Sequence, residues 1–233
     1  MAESPRYAIY YAPQSGSALD RFGAHLIGYD AYADEELPFP DGMALAVPDW
    51  REVTADPRKY GFHATLKAPI SLADGKAEAE LLAACAAFAE SRRPIPVIAP
   101  TVNAISDFIA IVPTEASAEL EALATDCVRE FDCFRAPLTA EARARRNPSE
   151  LTLRQCNYLD RWGYPYVMEE FRFHMTLTGR LAAERRETIV AILRERFATL
   201  NMTSLSIDRI ALFRQDSASA RFRIVGHWPL RTR

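Results

Sequence analysis

The order of predicted secondary-structure elements repeats once along this chain of 233 residues. The first series of strand, helix, long loop, strand, helix and strand occupies residues 7–11, 17–28, 29–59, 60–68, 76–92 and 95–105. The second series occupies residues 107–112, 117–134, 135–170, 171–178, 183–199 and 203–213. A matching order at a nearly constant offset predicts an ancient duplication, with approximate repeats at 6–105 and 106–230 of one two-lobe domain spanning 1–233. Ligands commonly bind in the cleft where two such lobes meet.

The composition indicates a folded, soluble protein, because 49% of the residues are hydrophobic and 25% are charged. No apolar run approaches the roughly 18 residues of a membrane span, and the first seven residues lack a signal-peptide pattern. We therefore expect a cytoplasmic monomer with no membrane association. The net charge of −3 argues against a protein that grips extended nucleic acid, but it permits a few cations in a cleft.

Two of the predicted strands each carry a histidine and a threonine two residues apart. Side chains alternate across a strand, so every second residue shares a face. The polar faces are formed by His63, Thr65 and Lys67 in one strand and by Arg172, His174, Thr176 and Thr178 in the other. The chain has four histidines, and two of them stand at these equivalent places. Each half of the predicted duplication thus presents the same pair of polar groups.

These polar faces suit the cleavage of a phosphate ester. One imidazole can take a proton from water while the other gives a proton to the departing oxygen, since the histidine pKa lies near 6.5. The hydroxyls of Thr65 and Thr176 can hold the phosphate oxygens as charge builds in the transition state. Lys67 and Arg172 can supply positive charge to an anionic substrate.

The tetrapeptides His63-Ala-Thr65-Leu66 and His174-Met-Thr176-Leu177 resemble the paired signature of the two-histidine phosphoesterase superfamily. That group includes bacterial RNA 2′,5′-ligase-like proteins and cyclic nucleotide phosphodiesterases. The flanking sequences, Tyr60 to Pro69 and Trp162 to Gly179, resemble a branch of uncharacterised bacterial proteins often encoded beside phosphonate-utilisation genes. The resemblance extends over essentially the whole chain.

The resemblance implies an α+β fold of two βαβ-rich lobes, each with an antiparallel sheet, about a pseudo-twofold central cleft. It implies that His63 and His174 are catalytic and that Thr65 and Thr176 bind phosphate. It further implies metal-independent chemistry without a cofactor, on a small phosphorylated substrate such as a ribose or nucleotide cyclic phosphate. Which histidine acts as base stays open, because that depends on which oxygen leaves.

Further residues are candidate substrate contacts, and the sequence gives less support to other kinds of site. Tyr60 and Tyr166 lie near the two motifs and are candidate substrate contacts, together with Lys67 and Arg172. Two histidines alone do not make a zinc site, which needs three or four ligands, and no further ligand stands at a telling spacing. Nucleotide-cofactor loops and a GxSxG nucleophile motif are absent from the sequence. The alternative from another functional class is a non-catalytic protein that binds nucleotides or RNA ends.

Overall fold

The computed structural model describes residues 5–232, so the first four residues of the N-terminal segment considered above lie outside it. The strands are β1 (Arg6–Tyr11), β2 (Tyr29–Asp30), β3 (Glu35–Glu36), β4 (Ala64–Ser71), β5 (Val97–Ile98), β6 (Pro100–Ile105), β7 (Phe108–Pro113), β8 (Met175–Thr176), β9 (Leu205–Ser206), β10 (Arg209–Gln215) and β11 (Arg223–Pro229). The helices are α1 (Ala18–Ile27), α2 (Met43–Ala46), α3 (Trp50–Val53), α4 (Ala55–Arg58), α5 (Glu78–Glu90), α6 (Ala118–Glu130), α7 (Ala140–Ala144), α8 (Leu153–Trp162) and α9 (Ala183–Ala198). Short 3-10 helices occupy Phe131–Phe134, Pro148–Glu150 and Met168–Glu170.

Seven strands form one antiparallel sheet in the order β11-β10-β1-β4-β8-β7-β6. The expected α+β class with antiparallel pairing is confirmed. The two halves meet at the centre of the sheet, where β4 pairs with β8. Strand β6 from the first half pairs with β7 of the second, and β10 from the second pairs with β1 of the first. Each half therefore contributes a strand to the other half's side of one continuous sheet.

The first helix of each half begins in the same way. Ser17 and Ser117 are N-cap residues, and their side chains accept hydrogen bonds from the backbone N–H groups of Asp20 and Leu120. Such a cap satisfies a backbone donor that has no partner within the helix. Helix α1 ends at Gly28, whose φ of 75° is a left-handed conformation that glycine adopts without strain.

The strands that carry the histidines are shorter than the sequence predicts. Strand β4 begins at Ala64 instead of residue 60, and β8 is reduced from residues 171–178 to Met175–Thr176. The ladder between β4 and β8 contains a single pair, Ala64 with Met175. Each histidine consequently lies one residue before its strand, His63 before Ala64 and His174 before Met175.

The two faces of the sheet bury different clusters. A large hydrophobic cluster includes Ile9 of β1, Leu66 of β4 and Met175 of β8, together with the long helices. A smaller cluster on the opposite face of the sheet contains Tyr10 of β1 and Phe213 of β10. The long predicted loops also contain structure, since helices α2–α4 lie within residues 29–59 and α7 and α8 within 135–170. No helix in residues 5–232 is both long and apolar enough to cross a membrane.

Candidate active site

The register at the centre of the sheet brings the two motifs together. Ala64 pairs with Met175 in antiparallel orientation. Extending this register by one residue in each direction gives two cross-strand pairs, His63 with Thr176 and Thr65 with His174. Directly opposed side chains in an antiparallel pair have Cβ atoms about 4.5–5.5 Å apart. Each histidine therefore lies across from the threonine of the other half, and all four side chains share one face.

The two imidazole rings are oriented by the same backbone contact. His63 Nδ1 lies 2.8 Å from the carbonyl oxygen of Gly61, and His174 Nδ1 lies 2.7 Å from that of Arg172. A carbonyl oxygen only accepts, so Nδ1 carries the hydrogen in both rings. In a neutral ring, Nε2 is then unprotonated and free to exchange a proton with a reacting group. Nε2 of His63 lies 3.4 Å from the Thr65 hydroxyl.

Burial of the two rings disfavours their charged forms. It lowers the pKa of His63 to about 4, against the opposing effect of the Gly61 carbonyl, and the charge of His174 lowers it further. Burial also lowers the pKa of His174, while the Arg172 carbonyl opposes that shift. The electrostatic influence of His174 on His63 indicates that the two rings share one site.

Tyr10 is a site residue that the sequence gives no reason to select. Its ring stacks on His63 with centroids 3.8 Å apart and an interplanar angle of 16°, and its side chain interacts with that of Thr65. Tyr10 is the β1 residue paired with Thr65 in the ladder between β1 and β4. Its place beside the motif depends on that register, and period-2 alternation alone does not define the register of two distant strands.

Two cavities flank the site, and each contains one histidine and one threonine. The larger, about 430 Å³, is lined by Thr65 and His174 together with aromatic and aliphatic side chains, and Arg172 and Tyr166 line it as well. The smaller, about 300 Å³, is lined by His63 and Thr176 and also by Tyr60. Asp107, in the turn between β6 and β7, and Phe108, the first residue of β7, line both cavities.

The lesser candidates differ in what they contact. Tyr166 is exposed at the larger cavity. Tyr60 stacks on Phe222 with ring centroids 5.2 Å apart and lies 6.3 Å from the His63 ring. The Arg172 guanidinium donates to the backbone carbonyls of Glu169 and Phe171, and no carboxylate pairs with it among residues 5–232. Tyr166 and Arg172 thus line the larger cavity, and Tyr60 lines the smaller one.

Lys67 requires a correction, because its amino group does not reach the site. The side chain is 3% exposed, and Nζ donates to the Val128 carbonyl at 3.0 Å and to the Asp132 carboxylate at 3.2 Å. Burial lowers the pKa of Lys67, and the nearby Asp132 carboxylate opposes that shift. Helix α6 covers this end of β4, so a residue on the polar face becomes part of a buried ion pair.

Metal ligands are not clustered in this part of the molecule. Within residues 5–232, no group of three or more His, Cys, Asp or Glu side chains is placed to hold a metal ion. The site consists of two imidazoles and two hydroxyls, with aromatic and apolar walls. Imidazoles can transfer protons, and hydroxyls can donate hydrogen bonds to an anion.

Two His-x-Thr segments face each other across the central strands of an antiparallel sheet. Residues 65–223 match the model of a family described as a protein of unknown function, DUF1045. The chain belongs to this family. The matched region starts at Thr65, two residues after the first histidine.

This chain is similar in sequence to two curated proteins and in structure to a solved protein. It is 35% identical over 221 residues, 93% of its length, to a protein of Janthinobacterium sp. (strain Marseille) named ribose 1,5-bisphosphate phosphokinase PhnN. It is 31% identical over 220 residues, 94% of its length, to a protein of the same name from Laribacter hongkongensis (strain HLHK9). The alignments cover 49% and 50% of those relatives, so the chain spans about half their length. E. coli LigT, solved in complex with NADP⁺, superimposes with a TM-score of 0.45 at 15% identity over 99% of each chain.

Proposed function

We propose that this protein is a metal-independent cyclic phosphodiesterase that opens a small ribose or nucleotide cyclic phosphate. The observation that carries this proposal is the cross-strand arrangement of the two histidines and two threonines at the centre of the sheet. One imidazole would take a proton from water as the water oxygen attacks phosphorus. The other would give a proton to the ribose oxygen as its bond to phosphorus breaks.

The fixed Nδ1–H groups support this mechanism. Because each Nδ1 donates to a backbone carbonyl, Nε2 is the atom that takes or gives the proton in both rings. Thr65 and Thr176 would donate hydrogen bonds to the non-bridging oxygens, whose negative charge increases in the transition state. Tyr60, Tyr166 and Arg172 would contact the remainder of the substrate from the walls of the two cavities.

The name of the two curated relatives suggests a substrate. Both are named for ribose 1,5-bisphosphate, and the chain matches only about half of each. The sequence has no GxxxxGK[ST] loop, the usual phosphate cradle of a P-loop kinase, so its own residues give no support to a P-loop kinase activity. Hydrolysis of the phosphorus–O2 bond in ribose 5-phosphate 1,2-cyclic phosphate yields ribose 1,5-bisphosphate. We therefore propose this cyclic phosphate as the substrate, in a pathway of phosphonate breakdown.

The test is a screen of cyclic phosphates with the purified protein in the presence of a chelator. Ribose 5-phosphate 1,2-cyclic phosphate and the 2′,3′-cyclic nucleotides are followed by phosphorus NMR, which distinguishes the cyclic diester from the monoester product. His63→Ala and His174→Ala should each lower turnover by about 10²- to 10⁴-fold while circular dichroism stays unchanged. His227→Ala is the matched control, because His227 is exposed and lines neither cavity.

Three outcomes would count against the proposal. Full activity of either active-site variant would remove that histidine from the mechanism. Loss of wild-type turnover on chelation would point to metal-dependent chemistry. Tight binding of a cyclic phosphate without any turnover would support the alternative of a non-catalytic protein that binds nucleotides or RNA ends.

A further inference from the structure

Tyr10 contacts both reactive groups of the first motif, each with a different part of its side chain. Its ring lies nearly parallel to the His63 imidazole, with centroids 3.8 Å apart and an interplanar angle of 16°. Its hydroxyl forms a side-chain hydrogen bond with Thr65, the residue paired with Tyr10 in the ladder between β1 and β4. Tyr10 lines neither of the two cavities, so it acts on a substrate through His63 and Thr65.

The surrounding core leaves the Tyr10 side chain little freedom. The residue is 1% exposed, its ring centroid lies 4.9 Å from that of Phe213, and that of Phe222 lies 6.4 Å away. Tilted aromatic rings at such distances attract each other, and close packing keeps a buried side chain in one rotamer. Because the Tyr10 ring is fixed in this way, it limits the positions that the stacked imidazole of His63 can take.

The Tyr10 hydroxyl is suited to donate its hydrogen to the Thr65 oxygen. Burial raises the pKa of Tyr10 well above its usual value, so the hydroxyl keeps its hydrogen at neutral pH. A threonine hydroxyl has two acceptor lone pairs but only one hydrogen. When Tyr10 donates to Thr65, the hydrogen of Thr65 stays available for another acceptor. The opposite direction would use that hydrogen on Tyr10 and leave none for a phosphate oxygen.

Two acceptors compete for the Thr65 hydrogen, the Nε2 atom of neutral His63 and a phosphate oxygen of the substrate. The Thr65 hydroxyl oxygen lies 3.4 Å from Nε2, which is longer than the roughly 2.7–3.2 Å of a well-formed hydrogen bond. The stacked ring of Tyr10 holds the imidazole and its hydroxyl holds Thr65, so this separation is maintained. A charged phosphate oxygen is the stronger acceptor, and Nε2 then stays free for proton transfer.

We propose that Tyr10 is a positioning residue whose ring fixes the His63 imidazole and whose hydroxyl directs the Thr65 hydrogen to the phosphate. This inference rests on the proposed phosphodiesterase function, and it holds whichever histidine acts as base. Tyr10 itself neither contacts the substrate nor exchanges a proton with it. The equivalent position of the second half is Ala110, which pairs with Thr176 and has neither a ring nor a hydroxyl.

A double-mutant cycle of the full chain tests the hydroxyl of Tyr10. Tyr10→Phe keeps the ring, and Thr65→Val removes the second hydroxyl with little change of shape. Tyr10→Phe should lower kcat/KM for the cyclic phosphate about five- to tenfold, but less than about twofold when Thr65 is already Val. Tyr11→Phe is the matched control and should change nothing, because Tyr11 is equally buried but belongs to the cluster on the opposite face. Equal losses in both backgrounds, or no loss from Tyr10→Phe, would overturn the proposal.

NMR spectroscopy tests the ring of Tyr10 and needs no turnover. The ring current of a stacked tyrosine shifts the carbon-bound hydrogens of His63 upfield. Tyr10→Phe should keep this shift, whereas Tyr10→Leu should lose it and broaden the His63 signals. An unchanged His63 spectrum in a folded Tyr10→Leu protein would contradict the role of the ring.

Inorganic phosphate is the probe that separates this proposal from the proposed function. Its Kd, measured from the same His63 signals, should rise severalfold in Tyr10→Phe and should not rise further when Tyr10→Phe is added to Thr65→Val. If the wild-type protein turns over no cyclic phosphate, the proposed function fails, while this binding cycle still decides whether Tyr10 acts through Thr65. Additive changes in Kd would reject the role of Tyr10 even in an active phosphodiesterase.

Discussion

The two histidines have the same backbone contact but different neighbours. Each Nδ1 donates to the carbonyl two residues earlier, from Gly61 in the first half and from Arg172 in the second. Across the ladder, Thr65 pairs with Tyr10, whereas Thr176 pairs with Ala110. The aromatic ring that stacks on His63 therefore has only a methyl group at the corresponding position of the second half. The comparison teaches that the two halves share the reactive groups and differ in what surrounds them.

The position that follows each threonine on the polar face differs in a similar way. Lys67 extends to Val128 and Asp132, while Thr178 is fully buried and accepts a hydrogen bond from the backbone N–H of Ile109 at 2.9 Å. Both residues are polar in sequence, and both are withdrawn from solvent by packing. The open part of the first polar face is thereby limited to His63 and Thr65, whereas the second face also keeps the exposed Arg172.

The largest expected effect comes from breaking the Lys67 ion pair. Asp132→Ala should lower the free energy of unfolding by about 3 kcal/mol, because it leaves the buried ammonium without its carboxylate. Lys67→Met should be close to neutral, since the Asp132 carboxylate keeps its ion pair with Arg135 at 2.8 Å and the apolar chain fills the space. Urea denaturation measures both changes. Loss of turnover in a stable Lys67→Met protein would show that Lys67 does contribute to the active site.

A second difference between the halves is how closely the first helix of each half packs beside the His-x-Thr segment. Gly23 of α1 packs against Phe62, and a Cβ at this position would lie 2.1 Å from the Phe62 ring. At an offset of 100 residues, helix α6 carries Leu123, a buried core residue. Helix α1 therefore approaches the chain beside His63 more closely than a side chain would allow.

We expect Gly23→Ala to destabilise the protein by about 2 kcal/mol, because overpacking forces the adjacent backbone to shift. Phe62 precedes His63, so turnover should fall as well. The double variant Gly23→Ala with Phe62→Leu should recover part of the stability, and thermal unfolding of all four proteins gives the coupling. Additive effects would show that Gly23 and Phe62 do not constrain each other.

The sequence predicts this site well where it depends on local pattern. The His-x-Thr spacing and the alternation of apolar residues place His63 with Thr65, and His174 with Thr176, on one face. The serines before α1 and α6 occur where caps are needed, which is why these helices lie close to their predicted ranges.

The remaining features of the fold and of the site depend on pairing between strands that are distant in the sequence. Exchange of β6 and β10 between the halves, the stack of Tyr10 on His63 and the burial of Lys67 under α6 follow from sheet order and register. A one-residue change of register would move each of these side chains to the other face. No local period in the chain specifies that choice.

The smallest expected effect is that of replacing Arg172, whose counterpart in the first half is Gly61. Both supply the carbonyl that orients a histidine, but only Arg172 adds a cationic side chain, on the wall of the larger cavity. Arg172→Ala should raise KM about tenfold and leave kcat unchanged, because a lost hydrogen bond to a charged group costs about 1.5 kcal/mol or more. The increase should appear with ribose 5-phosphate 1,2-cyclic phosphate and be much smaller with ribose 1,2-cyclic phosphate, which lacks the second anion. Equal increases for both substrates would place the guanidinium at the reacting phosphate instead, and a change in kcat alone would assign it to support of the His174 ring.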